Sequence, residues 1–389
     1  MSAVAEERIV PETQDSTKAA FLRGAKRFLI GRSLAECIES GRDNILQLRL
    51  TAALMVILGH SYGLVFGKMT PYDPVHRILP TMFTHMVGVM TFFVVSGFLI
   101  TLSWQRRPDV LRFVRARVLR LWPALVVCVT ITAFVLGPIL TKLSLHDYFG
   151  KGDSYGTAYA YALGNASLFK MQNFLPGVFV DVPAIRNVNS SLWTIPIEAT
   201  MYVCVGCAGL LRLFRFPWLT SIAIAVLFVV FALVPLYTGH HGTGTDWFGV
   251  ILAGLFGLGS IACLLRRYVP VSTGLMIAIA AICILMRNTI HGAAFAWVLV
   301  TYFAFWFAYV PRIPTIPRDL DLSYGTYLWA FPVQQIVVEL TRTQNPLVLF
   351  AIATGIVLPL AAASWLWIEK PALRLKSIAS ARVPAPQSA

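Results

Sequence analysis

A histidine and a glutamate lie inside long apolar stretches of the sequence, where an ionisable side chain is costly and usually marks a functional site. His60 follows Arg49 by eleven positions, which in a helix places the imidazole about 16 Å beyond the arginine and near the middle of a bilayer. An imidazole can act as a general base near neutral pH, because its ordinary pKa is about 6.5. His60 is therefore a candidate catalytic base, and a structural histidine bonded to a backbone carbonyl is the alternative.

Glu198, in the segment TIPIEATMY, is the second candidate. Its predicted depth is compatible with a cavity shared with His60, in which the carboxylate would orient the imidazole or stabilise its cation. Tyr202 lies four residues later and so on the same helical face. A structural ion pair is the alternative interpretation of Glu198.

An arginine-rich segment, WQRRPDVLRFVRARVLRLWP, is predicted to form a cytoplasmic loop at 104–120. Its six arginines exceed what membrane orientation requires. Arg117 and Arg120 are three residues apart, on one helical face at the membrane boundary. Paired guanidinium groups suit phosphate oxygens, so the segment indicates a phosphorylated donor such as an acyl-coenzyme A. Contact with lipid headgroups is the alternative.

Metal and redox chemistry are not expected. Cys204 and Cys207 have a C-x-x-C spacing but lie in an apolar stretch, so they are expected to be buried as small hydrophobic residues and not to have a redox or metal role. His240 and His241 lack an obvious third ligand. The sequence contains neither a GxSxG nucleophile motif nor a phosphate-binding P-loop.

The elements that must position these residues are membrane-spanning helices. Of the 389 residues, 57% are hydrophobic and only 13% are charged, whereas soluble domains carry about 25% charged residues. The predicted fold class is all-α, a polytopic transmembrane helix bundle. Apolar length predicts ten spans, at about 47–66, 82–103, 118–140, 193–213, 217–237, 247–265, 271–287, 291–311, 322–342 and 346–368.

The charge pattern predicts an orientation. A net charge of +14 would suggest nucleic acid if the chain were soluble, but the basic residues lie between the apolar spans. With both termini in the cytoplasm, 24 of the 32 lysines and arginines fall on the cytoplasmic side, as the positive-inside rule requires. The expected partner of this charge is the lipid bilayer, and no nucleic acid is expected.

The chain divides into a cytoplasmic N-terminal segment (1–45), a transmembrane domain (46–370) and a short basic cytoplasmic tail (371–389). Residues 17–40 carry apolar positions at helical spacing among basic ones, which indicates either an interfacial helix or a solvated tail. The long outer loop at 141–192 is predicted either to shape an acceptor-binding surface or to act as a simple connector.

Six short motifs follow one another along most of the chain. In order, they are Arg49 with His60 after ten intervening positions; FVVSGFLI at Phe93–Ile100, which includes Ser96; Arg117, Arg120 and Pro123; Trp193 and Thr194 with Glu198 and Tyr202; Ser323-Tyr324-Gly325 followed by Tyr327-Leu328-Trp329 and Pro332; and Glu369-Lys370-Pro371. Together they resemble the acyltransferase-3 family of integral membrane O-acyltransferases, from about Leu46 to Leu375.

The resemblance implies transfer of an acetyl group from cytoplasmic acetyl-CoA to a sugar hydroxyl of a cell-surface polysaccharide, lipid-linked glycan or glycolipid, in the plasma (inner) membrane. Acetyl-CoA or another acyl-CoA would be a co-substrate, with no bound cofactor. The resemblance assigns the site roles as follows: His60 and Glu198 catalytic; Arg117, Arg120 and Arg49 donor-binding; Tyr202, Trp193, Ser96 and Tyr327 supporting the substrate.

One position departs from the family pattern. Members often carry a histidine where this chain has Ala330, so its choice of substrate is expected to differ. A transporter or flippase of a lipid-linked glycan is the alternative function, because it too would place polar residues at the middle of the membrane.

Overall fold

The computed structural model describes residue 28 and residues 31–67, 69–154, 156–182, 186–234, 245–314, 316–317 and 319–378. Three sequence predictions fall wholly or largely outside these residues. They concern the interfacial helix at 17–40, the His240–His241 pair and most of the C-terminal tail.

Ten helices in the described part of the chain occupy the positions of the ten predicted spans. They are α1 (Ile45–Phe66), α2 (Thr84–Arg106), α3 (Val110–Ile131), α4 (Thr194–Leu210), α5 (Pro217–Phe228), α6 (Thr245–Leu264), α7 (Thr273–Met286), α8 (Gly292–Tyr309), α9 (Ser323–Thr341) and α10 (Pro346–Ser364). Three of them continue through a π-helical turn: α3 through Thr132–Leu136 to Gly137–Leu140, α5 through Val229–Leu233 and α10 through Trp365–Glu369.

The helices differ in how well they suit a membrane. Of the described helices, six are long and apolar enough to cross one, namely α1, α2, α3, α6, α8 and α10. Three more, α4, α5 and α7, are apolar but shorter. The chain is therefore a multi-pass helical membrane protein, while the count of ten spans and the cytoplasmic position of the termini stay predictions.

The helix α9 is the most enclosed element of the bundle. Fifteen of its nineteen residues are buried, and it packs against α1 and α10. Because protein rather than lipid surrounds α9, the amide group of Gln334 finds internal partners. Gln334 donates to the backbone carbonyl of Ile57 at 2.8 Å and to the hydroxyl of Ser61 at 2.7 Å.

The helix α2 lies at the centre of the bundle, against α1, α4, α6 and α8. Glycines allow its closest approach to α6. A Cβ on Gly97 would overlap the backbone carbonyl oxygen of Phe256, and one on Gly259 would overlap that of Val94. Backbone-to-backbone packing of this kind is typical of membrane helices, where small residues replace a hydrophobic driving force.

The arginine-rich segment is helical, and its prediction as a loop is wrong. The helix α2 ends at Arg106, and α3 begins at Val110, well before the predicted start at 118. Asp109 caps α3 by accepting from the backbone N–H of Arg112 at 2.8 Å, which satisfies one of the free donors at the helix start. The last two arginines of the segment consequently lie about 10–15 Å inside α3.

The connection between α3 and α4 is partly helical. It contains the short helices Leu145–Phe149 and Ala158–Ser167. The buried side chain of Tyr148 donates to the backbone carbonyl of Ala133 at 2.6 Å, and this hydrogen bond holds the connection against the end of α3.

Two further short helices and a small ribbon complete the ends of the bundle. Helices Leu34–Glu39 and Pro74–Ile78 flank α1, and Lys370–Ile378 follows α10. The strand β1 (Arg32–Ser33) pairs antiparallel with β2 (Pro270–Val271). The all-α prediction missed this ribbon, because two residues per strand leave no alternating pattern in the sequence.

Candidate active site

A cavity of about 950 Å³, a volume that includes its opening, lies between α1, α2, α3, α4 and α9. Seven of the nine predicted site residues line it, namely Arg49, Ser96, Arg117, Arg120, Glu198, Tyr202 and Tyr327. His60 and Trp193 are not part of its lining.

Glu198 lies in the second turn of α4 and is bonded to both α2 and its own helix. Its Oε1 accepts a hydrogen bond from the Ser96 hydroxyl at 3.0 Å and another from the Tyr202 hydroxyl at 2.5 Å. Two hydroxyl donors on one carboxylate oxygen fix the side chain against the cavity wall. The four-residue spacing of Glu198 and Tyr202 thus brings their side chains together, as expected on a helix.

Arg49 and Arg120 share one carboxylate, which the sequence analysis did not single out. Asp321, in the connection before α9, accepts from Arg49 at 2.8 Å and from Arg120 at 2.7 Å. Arg120 also donates to Glu369 at 3.3 Å. Burial opposes ionisation of Asp321, but the two guanidinium groups and the Ser323 hydroxyl more than offset it and hold its pKa below the usual value.

The sequence does not mark Asp321 as a buried residue, because a short connection between spans usually faces solvent. The signal that predicts it is indirect. Two arginines inside apolar spans require buried counter-charge, since an unpaired buried charge is strongly destabilising.

Arg117 differs from Arg120 in forming no ion pair with a carboxylate in the described part of the chain, although Glu198 lies in the same cavity wall and its charge acts on Arg117. Its Nε is buried without a hydrogen-bond partner there. The guanidinium carbon lies 5.7 Å from the ring centres of both Phe113 and Tyr202, a contact typical of cation–π interaction. Residues three apart on a helix point about 60° away from each other. Arg117 and Arg120, which were predicted to act as a pair, therefore contact different groups.

Tyr327 and Trp193 take different places around α4. The hydroxyl of Tyr327 lies 2.6 Å from that of Thr194 and donates to the backbone carbonyl of Ser191 at 2.9 Å. Tyr327 therefore fixes the start of α4 at the cavity wall. Trp193 instead packs its ring against Phe248, 5.8 Å between centres, outside the cavity.

His60 lies in a second polar location, near the end of α1. Its ring centre is 5.3 Å from that of His85 and 5.1 Å from that of Phe331. In the described part of the chain, His60 and His85 have no hydrogen-bond partner at Nδ1. Each side chain is nevertheless partly exposed.

The expected contact between Glu198 and the imidazole of His60 is wrong. Glu198 is bonded to Ser96, whereas His60 stacks near His85. Ser96 and His85 are eleven residues apart on α2, a separation of about 16 Å. No single hydrogen bond bridges that distance, so Glu198 cannot orient His60 directly.

The cavity and the histidine pair nevertheless lie along the same helix, α2. The cavity lining extends along this helix to Val89. Val89 is four residues from His85, which is one helical turn or about 6 Å. The cavity thus ends one turn away from the histidine pair.

The cysteines of the described residues are free thiols. Cys204 and Cys207 are exposed on α4 and are free thiols, so the expectation that they are buried is wrong. Within the described residues, no group of three or more metal-ligating side chains occurs.

Comparison with known proteins defines the class. The family model for an acyltransferase domain, acyltransferase family 3, matches residues 43–366. The chain is 28% identical over 333 residues to an O-acetyl transferase of Shigella phage Sf6, covering 83% of this chain and 93% of that protein. It is 27% identical over 372 residues to nodulation protein 10 of Rhizobium leguminosarum bv. viciae, covering 88% and 96%. No solved structure shows a significant match.

The fold and the family match together define a multi-pass membrane acyltransferase. The chain belongs to the acyltransferase-3 family.

Proposed function

We propose that this protein is a membrane O-acetyltransferase of the plasma (inner) membrane, which moves an acetyl group from cytoplasmic acetyl-CoA to a sugar hydroxyl. The acceptor would be a cell-surface polysaccharide, a lipid-linked glycan or a glycolipid. One similar protein is named an O-acetyl transferase, which supports acetyl as the group transferred and oxygen as its acceptor.

The guanidinium of Arg117 lies in the cavity wall with no ion pair to any described carboxylate and with its Nε unbonded there, and this observation carries the proposal. Buried charges in proteins are normally paired, and an arginine presents a fork of donors that suits phosphate oxygens. A phosphorylated donor would supply an anion within hydrogen-bonding distance of Arg117. Leu373, in the helix after α10, also lines the cavity, and the predicted orientation places that end in the cytoplasm, where acetyl-CoA is found.

His60 is proposed as the base that removes the proton from the acceptor hydroxyl. Coenzyme A carries its thioester at the end of a long flexible pantetheine arm. A donor whose phosphates lie at Arg117 would therefore extend along α2 and present its thioester toward His60. Ser96 in the cavity wall and His85 beside His60 are about 16 Å apart along α2, a length that one extended donor can span.

Glu198, Arg49 and Arg120 have supporting roles in this proposal. Glu198 holds the Tyr202 hydroxyl and so fixes the ring against which Arg117 lies. Arg49 and Arg120, both bonded to Asp321, brace α1 and α3 beside the connection that leads into α9. The donor phosphates are thus assigned to Arg117, with Arg49 and Arg120 positioning the wall around it.

Inside-out membrane vesicles containing the protein test the proposal. Radiolabelled acetyl-CoA is added outside, and label is then measured in extracted glycolipid and polysaccharide. Mass spectrometry of the same glycans, with and without the gene, should show one acetyl mass lost when the gene is absent. A transporter or flippase would give no labelled product, and this result would overturn the proposal.

A further inference from the structure

The histidine pair contains a residue that the proposed function has not used. His85 lies in the first turn of α2, and its ring faces that of His60 at 5.3 Å and an interplanar angle of 32°. This approach depends on Gly59, since a Cβ there would overlap the backbone nitrogen of His85. A side chain at position 59 would therefore separate the two rings.

The backbone around His85 is held firmly. The buried carboxylate of Asp73 accepts from the backbone N–H of Thr84 at 3.0 Å and from its hydroxyl at 2.8 Å. The same oxygen accepts from the backbone N–H of Val75 at 3.0 Å. The start of α2 is thereby fixed to the helix Pro74–Ile78, which presets the position of the imidazole.

A purely structural histidine in such a place would normally bond its ring nitrogens to neighbouring groups. His85 does not, because its Nδ1 has no partner among the described residues although the atom is enclosed. The side chain is also partly exposed. A preset imidazole with an unused nitrogen, beside the proposed base, fits a group that binds the reacting atoms.

We propose that His85 is a second catalytic residue, a neutral imidazole that donates an N–H hydrogen bond to the carbonyl oxygen of the acetyl thioester. This inference rests on the proposed acetyl transfer. The negative charge that develops on that oxygen would be stabilised by His85, while His60 handles the proton. Two positively charged rings at this distance repel each other, so the protonation of His60 during the reaction favours a neutral His85.

The step balances without any further reactant. The acceptor hydroxyl loses its proton to His60 as its oxygen bonds to the acetyl carbon. The electron pair of the carbonyl moves onto the oxygen held by His85 and returns as the C–S bond breaks. The coenzyme A thiolate then leaves and takes the proton from His60, so that both imidazoles end as they began.

A pair of similarly sized substitutions separates this role from a structural one. In His85→Gln the side chain keeps an N–H donor, whereas in His85→Met it has none. We expect kcat for acetyl transfer to fall about 100- to 1,000-fold in His85→Met, as when one oxyanion donor is removed. His85→Gln should retain most of the activity, and KM for acetyl-CoA should be unchanged in both variants. Equal kcat values in the two variants would overturn the role of His85.

A vibrational measurement keeps the inference testable even if a variant folds poorly. Acetyl-CoA labelled with carbon-13 at the carbonyl is bound to the His60→Ala protein, in which transfer is blocked. We expect the carbonyl stretch to shift to lower frequency than in water, and the shift to shrink when His85→Met is added. A stretch unchanged on binding would contradict the inference, whereas failure of the unaltered protein to transfer acetyl at all would instead contradict the proposed function.

Discussion

Arg120 donates to Asp321 at 2.7 Å. This ion pair gives a structural role to one of the two arginines on α3 that the sequence predicted to bind the acyl donor. Arg117, three residues earlier on α3, has no carboxylate partner in the described part of the chain and faces the cavity. Two guanidinium groups of one motif thus have different surroundings, and their substitutions should have different consequences.

Replacing Arg117 with glutamine should weaken donor binding. A hydrogen bond to a charged group contributes about 1.5–3 kcal/mol, so KM for acetyl-CoA should rise about 10- to 100-fold. The maximal rate should change little, because the phosphates are remote from the reacting carbonyl. Steady-state kinetics with acetyl-CoA in vesicles checks this.

Arg112 provides the matched control, because it lies on the same helix outside the cavity lining. Arg112→Gln should leave KM unchanged. An equal KM in Arg117→Gln and Arg112→Gln would show that Arg117 does not hold the donor.

Replacing Asp321 with asparagine should destabilise the bundle. Removing one partner from a buried ion pair costs about 3–5 kcal/mol, since uncompensated charge is left behind, and Asp321 serves both Arg49 and Arg120. Thermal unfolding of the purified protein in nanodiscs measures the effect. Asp319→Asn is the control, because that carboxylate is 71% exposed and bonded only to Lys370 among the described residues; if it lowered the melting temperature as much, the buried network would have no special role.

The contribution of Asp321 should depend on pH in a defined direction. The neighbouring guanidinium groups depress its pKa in the folded protein. A depressed carboxyl pKa stabilises the fold above the unfolded value, about 3.9, and this stabilisation is lost as the pH falls through the folded pKa. The melting-temperature difference between the unaltered protein and Asp321→Asn should therefore still be present at pH 5. A difference that disappears already at pH 6 would contradict the assigned pairing.

Glu198 should act by positioning and not by proton transfer. The carbonyl oxygen of a glutamine can still accept from the hydroxyls of Ser96 and Tyr202, whereas alanine cannot. Glu198→Gln should therefore retain far more acetyl transfer than Glu198→Ala, and initial rates in vesicles compare the two. Equal loss of activity in both would indicate that Glu198 itself exchanges a proton with the substrate.

Helix positions could be predicted because they depend on local apolar length. The span predicted at 82–103 corresponds to the helix Thr84–Arg106, and the span predicted at 291–311 corresponds to the helix Gly292–Tyr309. The boundary of α3 was wrong because arginines normally end an apolar span, whereas here those at 117 and 120 point into the protein. A buried arginine side chain is tolerated in a cavity that contains polar groups, whereas it is costly at a lipid surface.

The partners of the charged groups could not be predicted. Asp321 is 272 residues from Arg49 and 201 from Arg120, and their meeting depends on the rotation of three separate elements. The same holds for His60 and His85, whose contact depends on the absence of a side chain at Gly59. The four-residue spacing of Glu198 and Tyr202 predicted their contact, because both lie on one helix. Spacing could not exclude the incorrect contact between Glu198 and His60, because these two residues lie on different helices.

The most direct test of the account is acetyl transfer by His60→Ala in vesicles given radiolabelled acetyl-CoA. His291→Ala serves as the control, since His291 is exposed at the start of α8, and both proteins are first shown to be folded by their melting temperatures. We predict that His60→Ala loses transfer by about 100- to 10,000-fold, the usual contribution of a general base, while His291→Ala labels glycan normally. A folded His60→Ala protein that labels glycan at the unaltered rate would contradict it.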